Sequence, residues 1–126
     1  MLYSVPAAGL LALLLIGLSL NVSRQRLRHR VSFGDAGNPA LTAAIRAHGN
    51  SLEQALLFIS LLYLLESAGG EAAWVIGLAA AFIGLRLLYC VALFGHHLRL
   101  RQLSHGLTML VLLVTSVLLV QGGLRS

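Results

Sequence analysis

Arg46-Ala-His-Gly-Asn-Ser-Leu-Glu53 leads almost directly into Leu56-Leu-Phe-Ile-Ser-Leu-Leu-Tyr-Leu-Leu65. The second stretch is apolar enough for a helix inside a membrane. The first carries an arginine, an asparagine and a glutamate at i, i+4 and i+7. That spacing turns Arg46, Asn50 and Glu53 onto one helical face, the outer two about 10 Å apart along the axis. Ionisable groups at membrane depth cost several kcal/mol unless paired or hydrated, so they face protein or a wet cavity. The polar face is therefore a candidate site.

The rest of the chain puts this helix in a membrane. Of its 126 residues, 58% are hydrophobic and only 10% charged, and the mean hydropathy is +0.87. A soluble domain carries roughly a quarter charged residues, and this much exposed apolar surface would associate in water. Apolar stretches run at about Val5 to Val22, Leu41 to Leu65, Ala72 to Phe94 and Leu103 to Val120. Each reaches or nearly reaches the roughly 20 residues needed to cross the hydrocarbon core. The first lacks the basic residues that precede the apolar run of a signal peptide, and reads as a retained span. The expectation is an all-α, integral membrane four-helix bundle forming one domain over residues 1–126.

All nine basic residues are arginine. Arg24, Arg26, Arg28 and Arg30 follow span one, and Arg99 and Arg101 lie between spans three and four. The opposite side has the Ser67-Ala-Gly-Gly-Glu71 turn, the N-terminus and a tail with Arg125. The positive-inside rule puts the basic loops in the cytoplasm and both termini outside it. The net charge of +5 and pI near 10.7 are mostly this topology signal plus attraction to anionic lipid. Nucleic acid is a poor partner, because no soluble domain or aromatic platform accompanies the basic residues. The single cysteine, Cys90, excludes an internal disulfide; no metal-ligand spacing exists, and the thiol reads as a small packed hydrophobe. His96-His97 read as loop residues, and two adjacent histidines without further ligands make no metal site.

Turn chemistry fixes the punctuation. Asn38 before Pro39 suits a helix start, with Pro39 near the first helical position, and Gly69-Gly70 ends span two. Arg86 and Tyr89, three residues apart, share a face of span three. Given the topology, Arg24, Arg46, Asn50, Arg86 and Arg101 reach a similar depth from all four helices, at the cytoplasmic half of the bilayer. Arginine offers a planar fork of donors that matches carboxylates and stays charged when partly buried. Several arginines with one glutamate suit an anion that also carries an amine, and a nearby arginine would favour a thiolate. The spacing alone names no ligand. Structural roles stand beside the functional ones: snorkelling for Arg24 to Arg30, an Arg46–Glu53 pair that fixes packing, neutralisation of Glu53 by Arg86, and a packed aromatic for Tyr89.

Arg46-Ala-His-Gly-Asn-Ser-Leu-Glu53, preceded by Gly34-Asp-Ala-Gly-Asn-Pro39, resembles the membrane-associated proteins in eicosanoid and glutathione metabolism, the MAPEG family. The resemblance covers nearly the whole chain and is closest to the short bacterial members. It implies a homotrimer of four-helix bundles in a bacterial inner membrane, with glutathione as co-substrate between subunits near the cytoplasmic face. Carried over by position, Arg24, Arg46, Asn50 and Glu53 would hold the peptide, and Arg101 would be the catalytic arginine beside the thiol. Arg86 would be partly structural, with Tyr89 and His105 as further glutathione contacts. The chain departs from the family at Gly49, where some members have an arginine, at Tyr89, where they have a histidine, and at Leu93 and His105, where they have tyrosines. Leucine cannot donate a hydrogen bond; histidine can.

The implied activity is conjugation of glutathione to hydrophobic electrophiles from the lipid phase, with hydroperoxide reduction as a second possibility. The alternative is a non-catalytic family member that binds an anionic ligand or partner. A small proton-coupled transporter would resemble known four-span examples in a membrane glutamate in span one, and span one here has no charge. Topology is directly testable. A reporter active only outside the cytoplasm should be active when fused at the C-terminus and silent when inserted after Gly34; the reverse pattern would invert the orientation.

Overall fold

The computed structural model describes residues 2–125, without the side chain of Arg125. Met1, Ser126 and the Arg125 side chain assigned to the outer tail lie outside the described residues. Four helices follow one another: α1 (Ser4–His29), α2 (Pro39–Ser67), α3 (Ala72–Phe94) and α4 (Leu98–Arg125). The described residues contain no strand. The chain is an all-α four-helix protein.

Local chemistry explains the boundaries. The Asn38 side chain accepts a hydrogen bond from the Leu41 N–H at 3.0 Å, and Pro39 opens α2, where a missing N–H costs nothing. At the other end Gly69 has φ +89°, a conformation that favours glycine. A Cβ on Gly70 would sit 2.8 Å from the Leu65 carbonyl oxygen. Two boundaries lie beyond the apolar runs: α1 continues to His29 and α4 begins at Leu98. Arginine is a good helix former, so leaving the apolar layer does not end a helix. Arg99 and Arg101 are therefore helical residues and not loop residues.

Glu66, at the far end of α2, supplies the cap that α1 lacks. Its carboxylate accepts from the Tyr3 N–H at 2.6 Å, the Ser4 N–H at 3.1 Å and the Ser4 hydroxyl at 2.6 Å. It thus satisfies donors that a helix start leaves unpaired and puts negative charge at the positive end of the helix dipole. At the opposite end Arg26 donates to the Gly34 carbonyl at 2.8 Å, closing the α1–α2 loop. In that loop the Gly37 N–H, followed by the Thr42 hydroxyl, holds the Asp35 carboxyl below its ordinary value.

α1 packs mainly on α2, and α3 mainly on α4, while α2 also touches α3 and α4. Among the described residues α1 and α4 do not meet. One core cluster gathers Leu11, Phe58, Leu62, Val75, Phe82 and Leu112, with Phe58 and Phe82 stacked at 4.1 Å between ring centroids. A second, smaller cluster joins Leu18, Ala47, Tyr89, Cys90 and Leu93. The outer surface is itself apolar, with Leu13, Leu20 and Val91 each more than 60% exposed, as a lipid-facing surface requires. α1, α3 and Leu98–Leu124 of α4 are long and apolar enough to cross a membrane. α2 is as long, at 29 residues, but Arg46, Asn50, Glu53 and Gln54 confine its apolar part to the second half. Removing the Glu66 cap by Glu66→Ala should cost about 1 kcal/mol, read as a lower thermal midpoint in detergent micelles. Glu66→Gln, which keeps an accepting oxygen, should cost less.

Candidate functional site

The buried stripe of α2 runs through Ala44, Ala47, Ser51, Ala55, Phe58, Leu62 and Leu65. Asn50 lies about 100° round the helix from Ser51, and Glu53 about 60° further away. Arg46 lies about 140° from Ser51, close to the direction of Glu53, and both are exposed. Position along the axis separates them: Glu53 stands about 10 Å beyond Arg46.

At the end of the bundle where α2 and α4 begin, Arg46 and Asn50 of α2 meet Tyr89 of α3 and Arg101, Gln102 and His105 of α4. Together they line a cavity of about 250 Å³. The Tyr89 and His105 rings lie 6.3 Å apart, tilted by 48°. A larger cavity of about 430 Å³ adjoins it, bounded by the starts of α2 and α4, Leu93 and His96-His97. Arg46 and Arg101 line both. No side chain among the described residues gives either guanidinium a hydrogen bond or an ion pair, and no carboxylate lines either cavity. Two adjoining cavities thus share two cations without a hydrogen-bonded or ion-paired partner, Arg46 being felt by Asp35 only at longer range, an arrangement that attracts anions by charge and by forked hydrogen bonding.

Arg86 stands behind this wall. Its side chain is fully buried and lines neither cavity. It donates through Nη2 to Asn50 Oδ1 at 2.8 Å and to Ser51 Oγ at 3.1 Å, and its guanidinium carbon lies 4.3 Å from the Tyr89 ring centroid. The cation is therefore held by two neutral acceptors and an aromatic face. Arg86 Nε and Nη1 have no partner. The expected neutralisation by Glu53 is absent: Arg86 is buried and Glu53 is on the outside.

Of the sequence-derived candidates, Arg46, Asn50, Tyr89, Arg101 and His105 come together in one cavity. Arg24 does not join them. It lines a third cavity, of about 500 Å³, with Asn21, Gln25 and His96 on the α1 side of α2, which shares Ala43 and His96 with the 430 Å³ cavity but neither Arg46 nor Arg101. Glu53 lines none of these cavities. Ser51 and Gln102 belong to the site and were not anticipated. Ser51 follows Asn50 on the buried stripe, and its hydroxyl also lies 3.9 Å from Cys90 Sγ. Gln102 simply neighbours Arg101, and no spacing signal marks it. A Cβ on Gly49 would meet nothing within 4 Å, so the glycine there answers no packing demand.

Residues 4–121 match the MAPEG family model. The chain belongs to the MAPEG family. Inner membrane protein YecN of Escherichia coli strain K12 is 37% identical over 94 residues, covering 74% of this chain and 69% of that one. The YecN protein of Escherichia coli O6:H1 matches to the same extent. No solved structure matches. The MAPEG assignment agrees with the apolar helices, and this member is an integral membrane protein.

Replacing Arg86 by alanine leaves Asn50 and Ser51 unpaired inside the bundle and opens a void, at a cost of roughly 2–4 kcal/mol. Arg86→Met fills much of that volume without a buried charge and should cost less. Thermal unfolding of both variants in the same detergent checks the order.

Proposed function

We propose that this protein is a glutathione transferase-like enzyme of a bacterial inner membrane, acting on hydrophobic electrophiles that arrive through the lipid. The observation that carries this reading is the shared lining of two adjoining cavities by Arg46 and Arg101, with Asn50, Tyr89 and His105 beside them and no carboxylate. Glutathione bears two carboxylates and a thiol. Arg46 and Asn50 would hold a carboxylate, and Arg101 would stabilise the thiolate left when the thiol proton passes to water. The sulfur lone pair then forms a bond to the electrophilic carbon, which releases its leaving group or, in an activated alkene, passes the electrons on to take up a proton. Arg101 supplies charge stabilisation throughout and neither gains nor loses a proton.

The reading includes a homotrimer. Within one chain Arg24 and Glu53 do not line the Arg46–Arg101 cavity, and the outer surface of the bundle is apolar. A neighbouring copy packed there could bring its own Arg24 or Glu53 to the bound peptide and offer the glutathione ammonium a carboxylate. YecN, which shares 37% identity, is named as an inner membrane protein, and that location is inferred for this chain. A second reading, anion binding without turnover, is favoured by Leu93, which lines the larger cavity and has no group to donate to a thiolate.

Ultraviolet absorbance of the thiolate on adding glutathione to purified protein separates the readings. The transferase reading expects a thiolate signal and turnover of a general electrophile, with turnover lowered roughly 10²-fold by Arg101→Ala. Binding without a thiolate signal supports the second reading. Neither binding nor turnover across a broad electrophile panel defeats both.

A further inference from the structure

Arg86 raises a question that the anion-site reading leaves open. A guanidinium buried in a membrane bundle without a carboxylate is costly, yet this one lines neither cavity of the site. What it does touch is Asn50, which lines the cavity of Arg46 and Arg101. We infer that Arg86 is a positioning residue: it locks the Asn50 side-chain amide so that its NH2 group faces the cavity as a donor, and the ligand atom at that point is a carboxylate or carbonyl oxygen.

The argument is one of donors and acceptors. A guanidinium has only donors, so the edge of Asn50 that faces Arg86 must be the oxygen. The contact is Nη2 to Oδ1 at 2.8 Å. Asn50 Nδ2 then occupies the other branch of the planar amide. It has no hydrogen-bond partner among the described residues. It is also not among the buried side-chain atoms left without one, which are Gln54 Oε1, Arg86 Nε and Arg86 Nη1. Its two N–H groups therefore open on the cavity that the side chain lines. The orientation is not left to chance, because a flipped amide would set N–H against N–H next to a buried cation.

Charge adds to geometry. Pulling on the amide oxygen, Arg86 polarises the group and makes its N–H bonds better donors. The cation acts on a ligand it cannot reach, through a neutral side chain that can. The Arg46 and Arg101 guanidinia and the Asn50 amide N–H groups are donors only, while Tyr89, Gln102 and His105 can donate or accept. With two cations and no carboxylate, this chain's own cavity favours an anion and gives an ammonium no counter-charge. The inference rests on the anion-site reading but not on glutathione as the anion.

A double-variant cycle tests it, with titration calorimetry of two probes, glutathione and sodium sulfate, on the detergent-purified protein. Asn50→Ala and Arg86→Gln should each weaken binding about tenfold, and the double variant should be no weaker than Asn50→Ala alone, because Arg86 acts only through Asn50. Multiplying effects would overturn the inference. If Arg86→Gln fails to fold, Asn50→Asp serves instead. It keeps an acceptor for Arg86, so the thermal midpoint should hold, while the cavity-facing donor becomes an acceptor and both anions should bind at least about tenfold more weakly. Binding within twofold of wild type would overturn the inference. A wild-type protein that binds sulfate and not glutathione, with the same variant pattern, sinks the glutathione reading and supports this one. Binding of neither probe sinks both.

Discussion

A cation with nowhere to go organises this molecule. Arg86 is fully buried within a bundle whose outside is apolar. Its charge must be met by what α2 offers at the same level, the Asn50 oxygen and the Ser51 hydroxyl, with the Tyr89 ring beside it. Sliding α3 by one turn along α2 would leave a buried guanidinium against hydrocarbon, which costs more than most packing errors. The pairing therefore sets the register of α2 against α3, and the cavity in front of it inherits that register.

The two ends of the bundle divide the work. Away from the site the helices meet through a dry core centred on the Phe58–Phe82 stack, and the ends of α1 and α2 are tied by the Glu66 carboxylate. Where α2 and α4 begin, side chains leave room between helices and cations line it. Along α4, Ser104, Thr108 and Thr115 are buried, and each returns its hydroxyl to a carbonyl one turn back, at 2.6 to 2.8 Å. Those hydroxyls are satisfied within their own helix, so they let α4 approach its neighbours without acting as links between helices. Polar links between helices concentrate at Arg86 and at Glu66.

Helix number and the main stops were legible in the sequence because apolar runs, Asn38-Pro39 and Gly69-Gly70 are local signals. The reach of α1 to His29 and the start of α4 at Leu98 were less so, since arginine ends an apolar run without ending a helix. In the site, shared depth found Arg46, Asn50, Tyr89, Arg101 and His105. It could not find where the cavity ends. Periodicity gives a polar face to Arg46, Asn50 and Glu53 together, but Glu53 stands about 10 Å beyond Arg46 along the axis, and the extent of the cavity is a property of the packed bundle. Ser51 was invisible for a related reason: a serine in a membrane helix ordinarily bonds its own backbone, and nothing in the sequence says that this one faces an arginine.

Gly49 has a consequence for how such a site can change. It lies between His48 and Asn50 in the first half of α2, and a side chain there would meet open space. Glycine inside a helix forfeits up to about 1 kcal/mol relative to alanine, so a larger residue would be tolerated or even favoured by the backbone. Gly49 lines none of the cavities at this end, so a charged side chain there would be added beside the site, with no neighbour in the chain to displace. Electrostatic character near this position is thus decoupled from packing within the chain: a charge can be added without crowding a neighbour or breaking the helix.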